Sequence, residues 1–140
     1  ENWFHIAREY TERFIHQQQI RDSVGIPGLM TKELFVPFIQ TLMFGLIPTF
    51  NKVSANAGAS FKIVIRSEIG GCWIIERNAQ EWILNPDLEK EPDAALIIQP
   101  EIAWKLFSKG MTSQEALPLV EIIGDVELAK TALQMVAVMA

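Results

Sequence analysis

The sequence predicts an α+β fold, a five-stranded, mostly antiparallel sheet covered by helices and preceded by one long helix. Three observations predict it. Apolar residues recur at three- and four-residue steps as far as Ile47, then at every second residue from Phe61, a change from helical to strand period. Short β-type runs between 61 and 85 are separated by turn residues, the pattern of a meander of neighbouring strands. Beyond Asp93, strand and helix signals alternate until Gly124-Asp125, a glycine and a capping aspartate that open a last helix.

The first helix covers residues 1 to about 22, with Trp3, Ile6, Ala7, Tyr10 and Phe14 forming one apolar stripe. A connector rich in Gly and Pro follows, so the chain divides into a helix over 1–24, a link over 25–30 and one domain over 31–140. Thr31 is placed to cap a second helix reaching about Ile47, whose apolar positions Leu34, Phe35, Phe38, Ile39, Leu42, Met43 and Leu46 cover nearly half its circumference. Pro37 bends this helix or marks its true first turn. Phe61, Ile63 and Ile65 alternate with Lys62, Val64 and Arg66 as the first strand. Gly70-Gly71 reads as a two-residue hairpin turn leading into a strand from Cys72 to Arg77. A third strand runs from Gln80 to Asn85 after an Asn78-Ala79 turn, and Pro86 to Pro92 is a solvated loop. Ala94 to Gln99 is the fourth strand and Leu119 to Ile123 the fifth. Between them lie a helix from Pro100 to Gly110 and a Thr112-x-x-Glu115 capping box. Asp125 caps the last helix, whose inner face carries Leu128, Ala132, Met135 and Met139.

Composition narrows the function. A chain of 140 residues is one domain, long enough to bury about two thirds of its unfolded surface. The net charge of −5, with no cluster of Lys and Arg, argues against nucleic acid. Cys72 has no second cysteine to pair with, and Trp73 and Ile74 beside it suggest a small buried hydrophobe. The first twenty residues are polar and helical, unlike a signal peptide, and the apolar segment Leu34 to Phe50 is interrupted by Pro37, Gln40 and Pro48, unlike a membrane span. A cytoplasmic protein is expected. Because Glu1 opens within a helical pattern, the expectation is also that the sequence is a fragment of a longer polypeptide.

Few constellations carry chemistry. His5, Glu9, Glu12 and His16 share one side of the first helix, and Glu12-x-x-x-His16 puts a carboxylate and an imidazole one turn apart, within reach of one metal ion. The alternative is a solvated face with ordinary ion pairs. Glu76 and Glu81 are expected to face each other across a hairpin as exposed residues. No phosphate loop, Gly-x-Ser-x-Gly elbow or His-Glu-x-x-His occurs, so no catalytic residue is assigned. Phe35, Phe38, Leu42, Trp104, Phe107, Met135 and Met139 either line an apolar cavity or fill a core, and both readings stay open.

Two resemblances extend this. The run of Ala94-Ala95-Leu96-Ile97-Ile98, the Pro100 helix, Thr112-Ser113-Gln114-Glu115 and Val120-Glu121-Ile122-Ile123-Gly124-Asp125 resembles the second half of a sterol carrier protein type-two domain. The resemblance implies a non-catalytic carrier or accessory domain that holds apolar small molecules, without naming one. Trp3 through Gly28 resembles the closing helix of the DinB-like family, in particular its mycothiol-dependent maleylpyruvate isomerase branch, with Glu12 and His16 on that family's Glu-x-x-x-His pair. That resemblance implies a parent metal-dependent, thiol-cofactor isomerase or transferase binding a divalent metal such as zinc. The chain would be inactive alone, since the third ligand, from an earlier helix, is absent. No cofactor is expected to bind this chain tightly. The apolar stripe on residues 1–22 leads to the expectation of a homodimer packed through that helix.

Overall fold

Strand parity organises the molecule around Phe61, Ile63 and Ile65, which turn to one side of the sheet while Lys62 and Val64 turn to the other. A computed structural model describes residues 2–26 and 30–135. Its elements are α1 (Asn2–Val24), α2 (Lys32–Leu42), α3 (Leu46–Phe50), β1 (Ser60–Ile65), β2 (Gly71–Arg77), β3 (Trp82–Leu84), β4 (Ala94–Ile98), α4 (Pro100–Phe107), α5 (Ser113–Ala116), β5 (Glu121–Gly124) and α6 (Val126–Leu133). The five strands form one sheet in the order β3-β2-β1-β4-β5. The β1–β4 pair is parallel and the other three are antiparallel. The expected α+β class, the mostly antiparallel sheet and the long leading helix are all present.

Register fixes the core. Phe61 lies between Ile75 and Ala94, and Ile63 pairs with Trp73 on one side and Leu96 on the other. The buried face of the sheet therefore carries Phe61, Ile63, Ile65, Ile75, Trp82, Ala94, Leu96 and Ile98. Helices supply the other half of one continuous core: Phe35, Phe38, Ile39 and Leu42 from α2, Ala103, Trp104, Leu106 and Phe107 from α4, and Ala129, Ala132 and Leu133 from α6. Phe50 of α3 stacks on Phe61 with ring centroids 4.8 Å apart and meets Trp82 edge-on at 5.1 Å.

α1 folds back on its own domain. Phe14, 3% exposed, stacks on Phe38 at 4.2 Å and meets Phe35 edge-on at 6.1 Å. The Tyr10 hydroxyl donates to the carbonyl of Leu34, and Asp22 reaches Lys105 of α4 at 3.8 Å. Burial pushes the Tyr10 phenol above the ordinary tyrosine range. The expected stripe is thus divided: Phe14 turns inward, while Trp3 and Ile6 stay exposed.

Several local expectations are corrected. Thr31 stands at the start of α2 with extended backbone, but its side chain caps nothing; its carbonyl accepts from Leu34 and Phe35 instead. Pro37 lies inside α2, and the run to Phe50 continues only after a 3₁₀ turn at Met43–Gly45. Ile65 pairs with Gly71, so the hairpin loop spans 66–70, closed by Gly70 N–H on the Ser67 carbonyl at 3.0 Å, and Gly71 belongs to the strand. The third strand begins late because the Asn78 carboxamide oxygen accepts from the Gln80 and Glu81 N–H groups, both at 2.7 Å, and curls the chain there. Leu119 ends a 3₁₀ turn with Pro118, so β5 starts at Glu121. Glu81 precedes β3, and Glu76 is opposite Ile83 with its carboxylate accepting from Asn85 Nδ2 at 2.9 Å. Cys72 is exposed, not buried: it pairs with Val64 on the outer face, the parity opposite to Ile75. α6 ends at Leu133, so Met135 is buried beyond the helix rather than on it, and Met139 lies outside the described residues.

The other two capping predictions, at Thr112 and Asp125, hold. Thr112 Oγ1 accepts from Glu115 N–H at 3.1 Å while Glu115 Oε1 accepts from Thr112 N–H at 2.9 Å. Asp125 Oδ1 accepts from Leu128 N–H at 3.1 Å. Among the described residues, Lys32–Phe50 is the one run long and apolar enough to cross a membrane, and half of it is buried inside the protein. Its apolar side is spent on the core.

Candidate functional site

α6 packs on the sheet through small residues, Ala129 and Ala132, so it lies close over the strands yet leaves space along its edges. Between α3 and the end of α6 is a cleft of about 470 Å³, lined by Pro48, Thr49, Lys52, Val53, Thr131 and Gln134. Its walls are more apolar than polar, and its volume falls in the roughly 300–1,000 Å³ range of small-molecule sites. Thr49 and Thr131 turn their hydroxyls back to the helix carbonyls of Gly45 and Glu127, which presents their methyl groups sideways. Lys52, exposed, is the one cation among the described residues that line it.

A larger cleft of about 800 Å³ lies at the start of α6, between the 53–59 loop, Lys90, Asp93 and Asp125. Three of its charged groups, Asp93, Asp125 and Lys90, are held by bonds within the fold. Asp93 Oδ2 accepts from Ser60 N–H and Ser60 Oγ accepts from Asp93 N–H, both at 3.0 Å. Asp125 caps α6, and Lys90 Nζ donates to the Gly58 carbonyl. The larger space is therefore the more polar of the two.

Of the seven residues expected to meet an apolar ligand, Phe35, Phe38, Leu42, Trp104, Phe107 and Met135 are all buried in one core; Met139 lies outside the described residues. Trp104 also borders a cleft, about 390 Å³ between α1, α4 and α5, with its indole N–H on Glu101 Oε1 at 3.0 Å. The residues that line the α3–α6 cleft were missed by sequence reasoning. Thr49, Lys52 and Thr131 have no periodic signature, and the only local hint is the helix interruption at Gly45 and Pro48.

Glu12 and His16 lie on the outward side of α1, His16 exposed and Glu12 bonded to Arg8 Nε at 3.2 Å. Among the described residues no three His, Cys, Asp or Glu side chains converge on one point. Two donors on an open helix face do not make a closed coordination shell, so the described residues alone do not fit a tightly held metal.

No family model matches the sequence, and no curated protein matches it significantly. Solved structures do match. The crystal structure of sterol carrier protein 2 like 2 from Aedes aegypti superposes with a TM-score of 0.51 at 18% identity, covering 70% of this chain and 95% of that one. The solution structure of the palmitated form of that mosquito protein gives 0.52 at 17% identity, covering 71% and 96%. The fold is that of sterol carrier protein 2. At these identities the likeness concerns the sterol-carrier fold and not the ligand.

Proposed function

We propose that this sterol-carrier-like domain binds an apolar small molecule with an acyl chain, without catalysis, in the cleft between α3 and α6. The observation that carries the reading is that cleft itself, mainly apolar, about 470 Å³, with the cation of Lys52 in its lining to meet a carboxylate. The palmitated state of a matched structure supports an acyl chain as the class of cargo. Phe50 and Leu46 behind α3, with Met135 beyond α6, extend the apolar surroundings inward, and a methionine adapts its shape to what it meets. The unpaired, exposed thiol of Cys72 suits the reducing cytoplasm.

A fluorescent fatty acid titrated against the chain tests this. Saturable binding in the micromolar range is expected, weakened at least about tenfold, 1.4 kcal/mol, by Thr131→Trp, which fills the cleft without touching the core. Lys52→Glu is expected to weaken the acid and leave the corresponding fatty alcohol unchanged. Equal affinity of wild type and Thr131→Trp would place binding elsewhere, and no saturable binding would remove the carrier reading.

A second reading draws on the solvent-facing Glu12 and His16: the chain is the C-terminal portion of a metal-dependent, thiol-cofactor isomerase or transferase, inactive alone, residues 1–24 closing its bundle. On that reading the chain alone binds zinc or nickel weakly, since two donors leave the ion open to water. Calorimetry should show no tight one-to-one complex. Submicromolar binding that survives His16→Ala would contradict the ligand assignment.

A further inference from the structure

We infer that the side of α1 carrying Trp3, Ile6, Ile20 and Val24 is the contact face of a two-fold dimer in which the α1 helices of two copies pack antiparallel. The side of α1 that meets its own domain is Thr11, Phe14, Ile15 and Gln18, with Tyr10 partly buried at its edge and its hydroxyl on the Leu34 carbonyl. Beside it runs a second row, Trp3, Ile6, Tyr10, Arg13, Gln17, Ile20 and Val24, at strictly alternating steps of three and four, the spacing of a paired-helix seam. Apart from the half-buried Tyr10, its apolar members are open to solvent: Trp3 is 58%, Ile6 69%, Ile20 55% and Val24 63% exposed. Trp3 leans on Phe44 with ring centroids 5.5 Å apart, and Phe44 is itself 53% exposed, so the patch continues onto the neighbouring segment. Single exposed hydrophobes are ordinary on a protein surface; a row of them at seam spacing marks an interface.

The arrangement of the row selects a second copy as the occupant. Apolar residues stand at both ends, and Arg13 and Gln17 stand in the middle. Antiparallel packing of two such helices brings the two kinds of seam position into the same layer. Arg13 then meets the partner's Tyr10 or the partner's Gln17, a ring face or an amide oxygen that suits a guanidinium. A parallel pair would set the two Arg13 side chains against each other. Glu9, 3.4 Å from Arg13 along the same helix, keeps that charge compensated at the seam's edge. A helix of 23 residues is about 34 Å long. With Phe44 at each end, such a pair buries on the order of 1,200 Å², the low end of the range for stable interfaces.

Sedimentation velocity of the intact chain, from low to high micromolar, should show a monomer–dimer equilibrium. Ile6→Glu and Ile20→Glu, at exposed positions, should each weaken it at least about tenfold with unchanged circular dichroism. In a Cys72→Ser background, Ile6→Cys chains should not link to themselves on oxidation. Mixed with Gln17→Cys or Val24→Cys chains they should form disulfide dimers with one of the two. A monomer at high micromolar concentration, a dimer indifferent to both glutamates, or self-linking of Ile6→Cys would each overturn the proposal.

Discussion

Phe38→Ala is expected to lower the stability of the fold by about 3–5 kcal/mol, the range for removing a fully buried aromatic ring. Phe38 is 0% exposed and stands between two structures at once. One face of its environment is Phe14 of α1, stacked at 4.2 Å, and Phe35 is 5.7 Å away on its own helix. Around it the aliphatic side chains of α2 and the sheet close the core. Alanine leaves a hole that Phe14 cannot fill without pulling α1 inward, against the Tyr10–Leu34 hydrogen bond and the Asp22–Lys105 pair. Single domains have about 5–15 kcal/mol in all, so the loss should be visible as a large drop in the urea midpoint. A second effect separates this site from other core positions: α1 is held to the body through the Phe14–Phe35–Phe38 cluster, and a lone helix is marginal in water. Proteolysis within residues 1–24 should therefore accelerate before the rest of the domain unfolds. Ile6→Ala, at a position 69% exposed, should change monomer stability by less than about 0.5 kcal/mol. A loss below about 1 kcal/mol for Phe38→Ala would mean that this cluster does not hold the helix.

What could be read from the sequence follows from which forces are local. The change of period at residue 60 is local, and it located β1, β2 and β4 to within a residue or two. So are the reciprocal Thr112–Glu115 bonds and the Asp125 cap, because each links atoms only three residues apart. Thr31 had the right residue type for a cap, yet the backbone satisfied the helix start without its side chain. Cys72 was misplaced because its apolar neighbours say nothing of parity, which is fixed by pairing with Val64 on another strand. The same non-local dependence hid the stripe of α1. Phe14 and Ile6 look alike in the sequence, and only the approach of α2 sends one inward and leaves the other in water. The cleft was least legible of all, since Thr49 and Thr131 are brought together by two helices that are far apart along the chain.

Gly124→Ala is the second large effect expected, about 3 kcal/mol or more, and it arises from backbone rather than packing. Gly124 closes β5 opposite Ala94 at φ +84°, a left-handed conformation that costs an ordinary residue about 1–2 kcal/mol. A Cβ there would also stand 2.3 Å from the carbonyl oxygen of Asp93 and 3.1 Å from its carbon, so the backbone at Asp93 must move. Asp93 cannot move cheaply. Its carbonyl accepts from Asp125 N–H at 2.9 Å, and its carboxylate and amide form the reciprocal pair with Ser60. One shift therefore disturbs the start of β1, the start of β4, the end of β5 and the first turn of α6, at about 1 kcal/mol for each hydrogen bond weakened. Gly58→Ala isolates the two contributions. Gly58 has φ +94°, but an added Cβ meets nothing within 4 Å, so only the conformational cost applies there, about 1–2 kcal/mol. Chemical denaturation of both variants should show Gly124→Ala clearly the more damaging, and equal losses would mean that the chain around Asp93 yields. Because α6 starts one residue after Asp125 and walls the α3–α6 cleft at Thr131, Gly124→Ala should also weaken acyl-chain binding at a position that does not line the cleft, whereas Gly58→Ala should not.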